Sequence, residues 1–137
     1  MKRKLLVLLL ALLLVACGES YQKWQTSQVI DAFKNAGLEV ETPRPMTEED
    51  YGMAPVIAEE ATRFFIPSCG DDCGGRIFSF SDSDSLFKVK FYYTKMSEGS
   101  TLFFCWVFEK DNMLLQLDGD LPEEEANLYG EALKSMR

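Results

Sequence analysis

A chain of 137 residues with 47% apolar and 26% charged side chains, 10 Phe, 4 Cys, no His and a net charge of −8 has the make-up of one globular domain. The missing His excludes Ser-His-Asp and Cys-His relays, HExxH zinc sites and His proton shuttles. The acidic balance argues against nucleic acid, whose phosphates need a basic face.

Residues 1–16 differ in composition from the rest. Met1-Lys2-Arg3-Lys4 is basic, and Leu5 to Ala16 is an apolar run without acidic residue, Gly or Pro. Twelve residues fall short of the about 20 needed to span a bilayer, and the pattern predicts a secretory signal. The junction Leu14-Val15-Ala16-Cys17-Gly18 resembles the lipobox of bacterial lipoproteins. That resemblance implies a diacylglyceryl group on the Cys17 sulfur, cleavage before Cys17 and possible N-acylation of the new terminus. Two or three chains suffice for stable anchoring, where one is marginal. Gly18 stands where an inner-membrane retention signal of some Gram-negative systems has Asp. Cleavage removes Lys2, Arg3 and Lys4 and leaves 121 residues with 11 basic against 22 acidic side chains, a net charge of −11. With no basic cluster beside Cys17, lipid and not charge is expected to hold the protein at the outer face of the cell membrane.

Residues 17–23 form the lipidated cysteine and a tether, of about 20 Å at full extension, and residues 24–137 form a single domain. Trp24 is expected to staple the first helix onto the core, with a place among lipid headgroups as the other reading. A helix is predicted over Ser27–Ala36, capped by Ser27 or Thr26, with Val29, Ile30, Phe33 and Ala36 on its inner face. Gly37 ends it in the left-handed conformation, and a strand follows over Leu38–Glu41. The stretch Val29–Val40 resembles the helix-then-GLxV unit of the PASTA domains that bind cell-wall fragments. The remainder of the chain does not repeat that unit, so it is read as a local helix-to-strand solution.

Thr42–Pro55, with three prolines, reads as a long irregular segment. Such loops are functional or mobile, which makes Glu48, Glu49, Asp50 and Tyr51 the candidate binding loop. Strands are predicted over Ala61–Ile66 and Arg76–Phe80, joined by the Pro67–Gly75 loop. A helix over Leu86–Lys95 follows the capping run Ser81–Ser85, its core stripe Leu86, Val89 and Tyr93 flanked by Phe87 and Phe91. Thr101–Glu109 and Met113–Leu117 pair across Lys110-Asp111-Asn112, and Pro122 at the first position with Asp120 near the cap opens a helix to Met136. The order α-β-ββα-ββα predicts an α+β domain, an antiparallel sheet with about three helices packed mainly on one face.

Cys69-Gly70-Asp71-Asp72-Cys73 supports several readings. In an oxidising compartment Cys69 and Cys73 can close a disulfide ring. The CxxxC spacing between strands departs from the CxxC of redox dithiols, and a metal site lacks His and a second Cys pair. Unpaired thiols, or pairing with Cys105, complete the choices; Cys105 itself reads as a buried small hydrophobe. Asp82-Ser83-Asp84 and Asp118-Gly119-Asp120 resemble openings of calcium loops without their distal Glu and are read as helix caps. Thus no metal, no cofactor beyond the lipid on Cys17 and no catalytic group is expected.

The stretches VIDAFKNAGLEVETPRPMTEEDYGMAP, GGRIFSFSD and LDGDLPEEEANLYGEAL resemble a group of small uncharacterised lipoproteins of Gram-positive bacteria, some labelled hypothetical or stress proteins. The resemblance spans most of residues 24–137 and implies no assigned activity. In that comparison Cys69 and Cys73 are departures, which counts against an essential role for them. The function expected from the sequence is a membrane-anchored, non-enzymatic binding or interaction module of the cell envelope, with an envelope protein or cell-wall partner. Alternatives are a thiol–disulfide protein using Cys69 and Cys73, or a small-ligand carrier with Thr42–Pro55 as a lid.

Overall fold

A computed structural model describes Gly18 and residues 20–137. The signal segment predicted over residues 1–16 and the predicted lipidation site Cys17 lie outside the described residues. Nine elements follow in order: α1 (Thr26–Asn35), β1 (Glu41–Pro45), α2 (Glu48–Tyr51), β2 (Glu60–Phe65), β3 (Gly74–Ser79), α3 (Ser83–Gly99), β4 (Cys105–Lys110), β5 (Met113–Asp118) and α4 (Glu123–Lys134). The five strands form one sheet in the order β1-β2-β3-β5-β4, with every neighbouring pair antiparallel. The expected α+β domain is therefore present.

Period-two alternation in the strands sends side chains to both faces, and both faces are covered. Ile77, Met113, Leu115 and Leu117 meet Val29 and Phe33 of α1 and Tyr129 and Leu133 of α4 on one side. Phe78, Phe80 and Leu114 meet Leu86, Val89 and Tyr93 of α3 on the other. Two long helices share a face and the third takes the opposite one. This explains why Met113–Leu117 is buried at five successive positions, as a strand covered on both faces requires. The two ββα units thus differ in packing, since α3 and α4 lie on opposite sides.

Helix α1 begins one residue earlier than predicted. Gln28 takes the Gln25 N–H on its side-chain oxygen at 2.8 Å, while Thr26 is buried and accepts the Thr62 hydroxyl at 2.8 Å. The hydroxyl expected to cap is instead a tertiary contact. At the far end Gly37 has φ +76°, and Leu38 N–H donates to the Phe33 carbonyl while Gly37 N–H donates to Lys34, which is a Schellman stop. Ala36 lies at this exposed cap and not on the inner face.

The segment predicted as irregular contains β1 and α2. Pro43 and Pro45 are tolerated because β1 is an edge strand whose outer side needs no donor, and Thr42, at φ +46°, marks the bulge that shifts its register. The acidic run Glu48-Glu49-Asp50 is the first turn of α2, where carboxylates suit the helix dipole. Helix α3 is capped by Asp82, which accepts the Ser85 N–H at 2.8 Å, and it runs four residues beyond the predicted end. Thr101–Phe103 is a 3₁₀ turn and not strand. Pro122 stands at the cap of α4 with no side-chain capping bond.

The start of the domain is latched by Asn112, which is fully buried. Its carboxamide accepts the Lys23 and Trp24 N–H groups at 3.1 and 2.8 Å and donates to the Trp24 carbonyl at 2.9 Å. The Trp24 indole donates to Asp111 at 2.8 Å and its ring packs on the core. Trp24 therefore staples α1, as the first of its two readings had it.

Candidate functional site

Register places four polar residues in one row across the sheet: Arg44 on β1 stands opposite Arg63 on β2, Arg63 opposite Arg76 on β3, and Arg76 opposite Gln116 on β5. These are three of the four arginines after residue 16. Like charges directly opposite one another in a sheet are destabilising, so the row needs compensation. Arg44 grips the Asp50 carboxylate through Nη1 and Nη2 at 2.5 and 3.1 Å. Asp118, at the end of β5, lies 3.6 Å from Arg63 and 3.5 Å from Arg76 and accepts the Gly74 N–H at 2.9 Å. Asp118 is thus a counterion of the row and not the helix cap predicted for it.

The three arginines are committed to different degrees. Arg63, 4% exposed, donates through Nη1 to the Phe64 and Gly75 carbonyls and through Nη2 to the Asp72 carbonyl at 2.6 Å. Burial pulls its guanidinium below the ordinary value, the neighbouring Arg76 charge acts the same way, and Asp118 opposes both. Arg76 donates through Nε to the Asp50 main-chain carbonyl and through Nη1 to Gln116, each at 2.8 Å. Its Nη2 makes no hydrogen bond among the described residues.

These groups floor a cleft on the α3 side of the sheet, walled by α2, the C-terminal half of α3 and the Thr101–Phe103 turn. It consists of two adjoining hollows, about 270 and 320 Å³, that share Glu49, Asp50, Arg76 and Asp118. The larger is the charged one, reaching Arg44, Arg63 and Asp72. The smaller carries an aromatic and apolar wall of Tyr51, Tyr92, Tyr93, Met96 and Phe104.

Tyr93 is 8% exposed, its ring against Phe78 at a centroid distance of 5.9 Å, and its hydroxyl makes no hydrogen bond among the described residues. No fully buried side-chain oxygen lacks a partner there, so this hydroxyl reaches the cleft. Burial raises its pKa above the ordinary tyrosine value against the opposing pull of Arg76, which keeps it a donor. Burial, with Asp50 adding to it, raises Tyr51 as well.

Of the predicted binding loop, Glu49, Asp50 and Tyr51 line the cleft, and Glu48 does not. Cys69 and Cys73 are joined in a disulfide, with 5.6 Å between their Cα atoms. Neither cysteine lines the cleft, but Asp72 between them does, and its carbonyl holds Arg63. Cys105 is free and half-buried; burial pushes its thiol up despite the contact with the Ser97 hydroxyl, so it is a poor nucleophile. Among the described residues no three His, Cys, Asp or Glu side chains are grouped to hold a metal ion.

Arg63, Arg76, Gln116 and Tyr93 were missed as a site. A signal existed: the alternation that turns Phe78 and Phe80 inward also turns Arg76 inward, two residues earlier on the same face. Comparison with protein-family models, curated proteins and solved structures finds no match.

Proposed function

We propose that this protein is a lipid-anchored, extracytoplasmic binding module of the bacterial envelope, non-enzymatic, that holds its ligand in the cleft between α2, α3 and the sheet. One observation carries the binding half of this reading. The cleft brings together an uncommitted guanidinium nitrogen on Arg76 and an unpartnered hydroxyl on the nearly buried Tyr93. Ligand pockets pair an apolar wall with a few convergent polar groups, and accessible donors with no protein partner beside such a wall fit that pattern.

The address rests on the lipobox at Leu14–Cys17. Among the described residues no helix is long and apolar enough to cross a membrane, which is compatible with a lipid anchor. The latch of Lys23 and Trp24 on Asn112 fixes the domain six residues from Cys17.

Both halves are tested on one preparation. Wild-type protein should fractionate with membranes and Cys17→Ala should accumulate as an uncut precursor; correctly cut, released Cys17→Ala protein would refute the anchor. Amide shifts of the ¹⁵N-labelled wild type in detergent micelles are then followed against anionic, cationic, sugar and peptide probes. At least one class should move the amides of Arg76, Tyr93 and Gln116. Shifts confined to other surfaces, or none, would contradict binding in the cleft.

A further inference from the structure

Resting on the binding reading above, we infer that the cleft takes a carboxylate carried on an aromatic or apolar body, with Arg76 Nη2 and the Tyr93 hydroxyl donating to the carboxylate oxygens. The free polar groups are matched to an acceptor. Besides these two, the hydroxyls of Tyr51 and Tyr92, which line the same hollow, make no hydrogen bond among the described residues. A guanidinium edge plus a phenol is a set that an oxyanion satisfies.

The count of free charge selects a monoanion. Arg44 is occupied by Asp50 and the Pro45 carbonyl, and Arg63 by three main-chain carbonyls. Of the three, only Arg76 has a terminal guanidinium nitrogen, Nη2, that makes no hydrogen bond among the described residues. Glu49, Asp50, Asp72 and Asp118 line the same hollows as the three arginines, so the site holds no surplus of positive charge and a phosphate dianion would be repelled more than a single carboxylate.

The wall selects the body of the ligand. Met96 and Phe104 line the hollow, and at its mouth Leu102 and Phe103 are 83% and 54% exposed. Apolar side chains held out beside a charged floor gain by covering an apolar ligand, at about 25 cal/mol per Å² removed from water. The same chemistry is carried by a free aryl or alkyl carboxylic acid and by a peptide C-terminus with an apolar last residue.

The test is calorimetric titration of the membrane-extracted protein in detergent micelles, with amide shifts to locate binding. Probes are N-acetylphenylalanine, its amide, phenyl phosphate and a tripeptide ending in Phe with a free carboxylate. N-acetylphenylalanine should bind in the cleft and its amide at least about tenfold more weakly. Tyr93→Phe, which removes one oxygen and keeps the packing, should weaken the acid about two- to tenfold; Arg76→Gln should weaken it at least about tenfold. A tripeptide tighter than the single residue identifies a peptide C-terminus as the source, and equal affinity a free acid; either supports the inference. An amide that binds as well as the acid, a phosphate that binds better, or full affinity in both variants would overturn it while leaving the binding reading standing. If no probe of any charge moves the cleft amides, the binding reading falls with it.

Discussion

Asp50 ties the site together. Its carboxylate holds Arg44 on β1, accepts the Thr47 N–H at 2.6 Å and the Thr47 hydroxyl at 3.0 Å, and its main-chain carbonyl receives Arg76. The Arg44 guanidinium, helped by Thr47, keeps this carboxyl well below the usual carboxylate range against its own desolvation. A depressed carboxylate pKa stabilises the fold above the unfolded value of about 3.9, and that contribution is lost as pH falls from there toward the folded value. Denaturant midpoints measured between pH 6 and pH 2 should therefore fall in the wild type and fall less steeply in Asp50→Asn. Equal slopes would mean that the Arg44 pair contributes nothing. The residues that matter most at this scale, Arg63, Arg76 and Tyr93, were legible only as members of strands and a helix. Alternation and helical spacing place them on an inner face, but which inner position lies under α3 and which beyond it is set by the angle of the helix on the sheet.

At the scale of elements, the hairpins, the three long helices and the Gly37 stop were readable because each has a local cause: alternation, a stripe, a cap or a positive φ. The misses have tertiary causes. Prolines mark Thr42–Pro55 as irregular, yet at an edge strand they cost no ladder bond. Asp118-Gly119-Asp120 reads as a cap because a helix follows, yet Asp118 is drawn to Arg63 and Arg76 across the sheet. A Cβ at Gly74 would collide with the Phe64 carbonyl, so this glycine lets β3 approach β2 where Arg63 needs its carbonyl partners. The disulfide belongs to the same device. With a separation of four residues, loop-closure entropy gives a contribution of roughly 2 kcal/mol. The Cys69→Ser/Cys73→Ser pair should lower the unfolding free energy by roughly that amount while the cleft still binds. Unchanged stability would mean that the ring adds nothing to the fold, and lost binding with intact stability would mean that the cleft needs the ring to hold the Asp72 carbonyl on Arg63.

For the whole molecule, charge is distributed against the average. Without residues 1–16 the chain carries −11, yet it gathers three of its four remaining arginines on one sheet face. A row of opposed arginines that exists for packing should be needed for stability; one kept for a ligand should not. Arg76 is the discriminating position: its removal leaves Asp118 with Arg63 and costs Gln116, which borders the cleft but is only 3% exposed, one hydrogen bond. Removing one member of an ion pair is costly when the other is left buried without a partner; Asp118 is 27% exposed and keeps Arg63 at 3.6 Å, and binding sites commonly trade stability for function. The decisive measurement is the unfolding free energy of Arg76→Met beside wild type at neutral pH. A value no more than about 1 kcal/mol below wild type, the size of the one hydrogen bond lost, is predicted for a site held open for a ligand. A loss of more than about 2 kcal/mol would make the arginine row a structural feature and contradict its role as a binding floor.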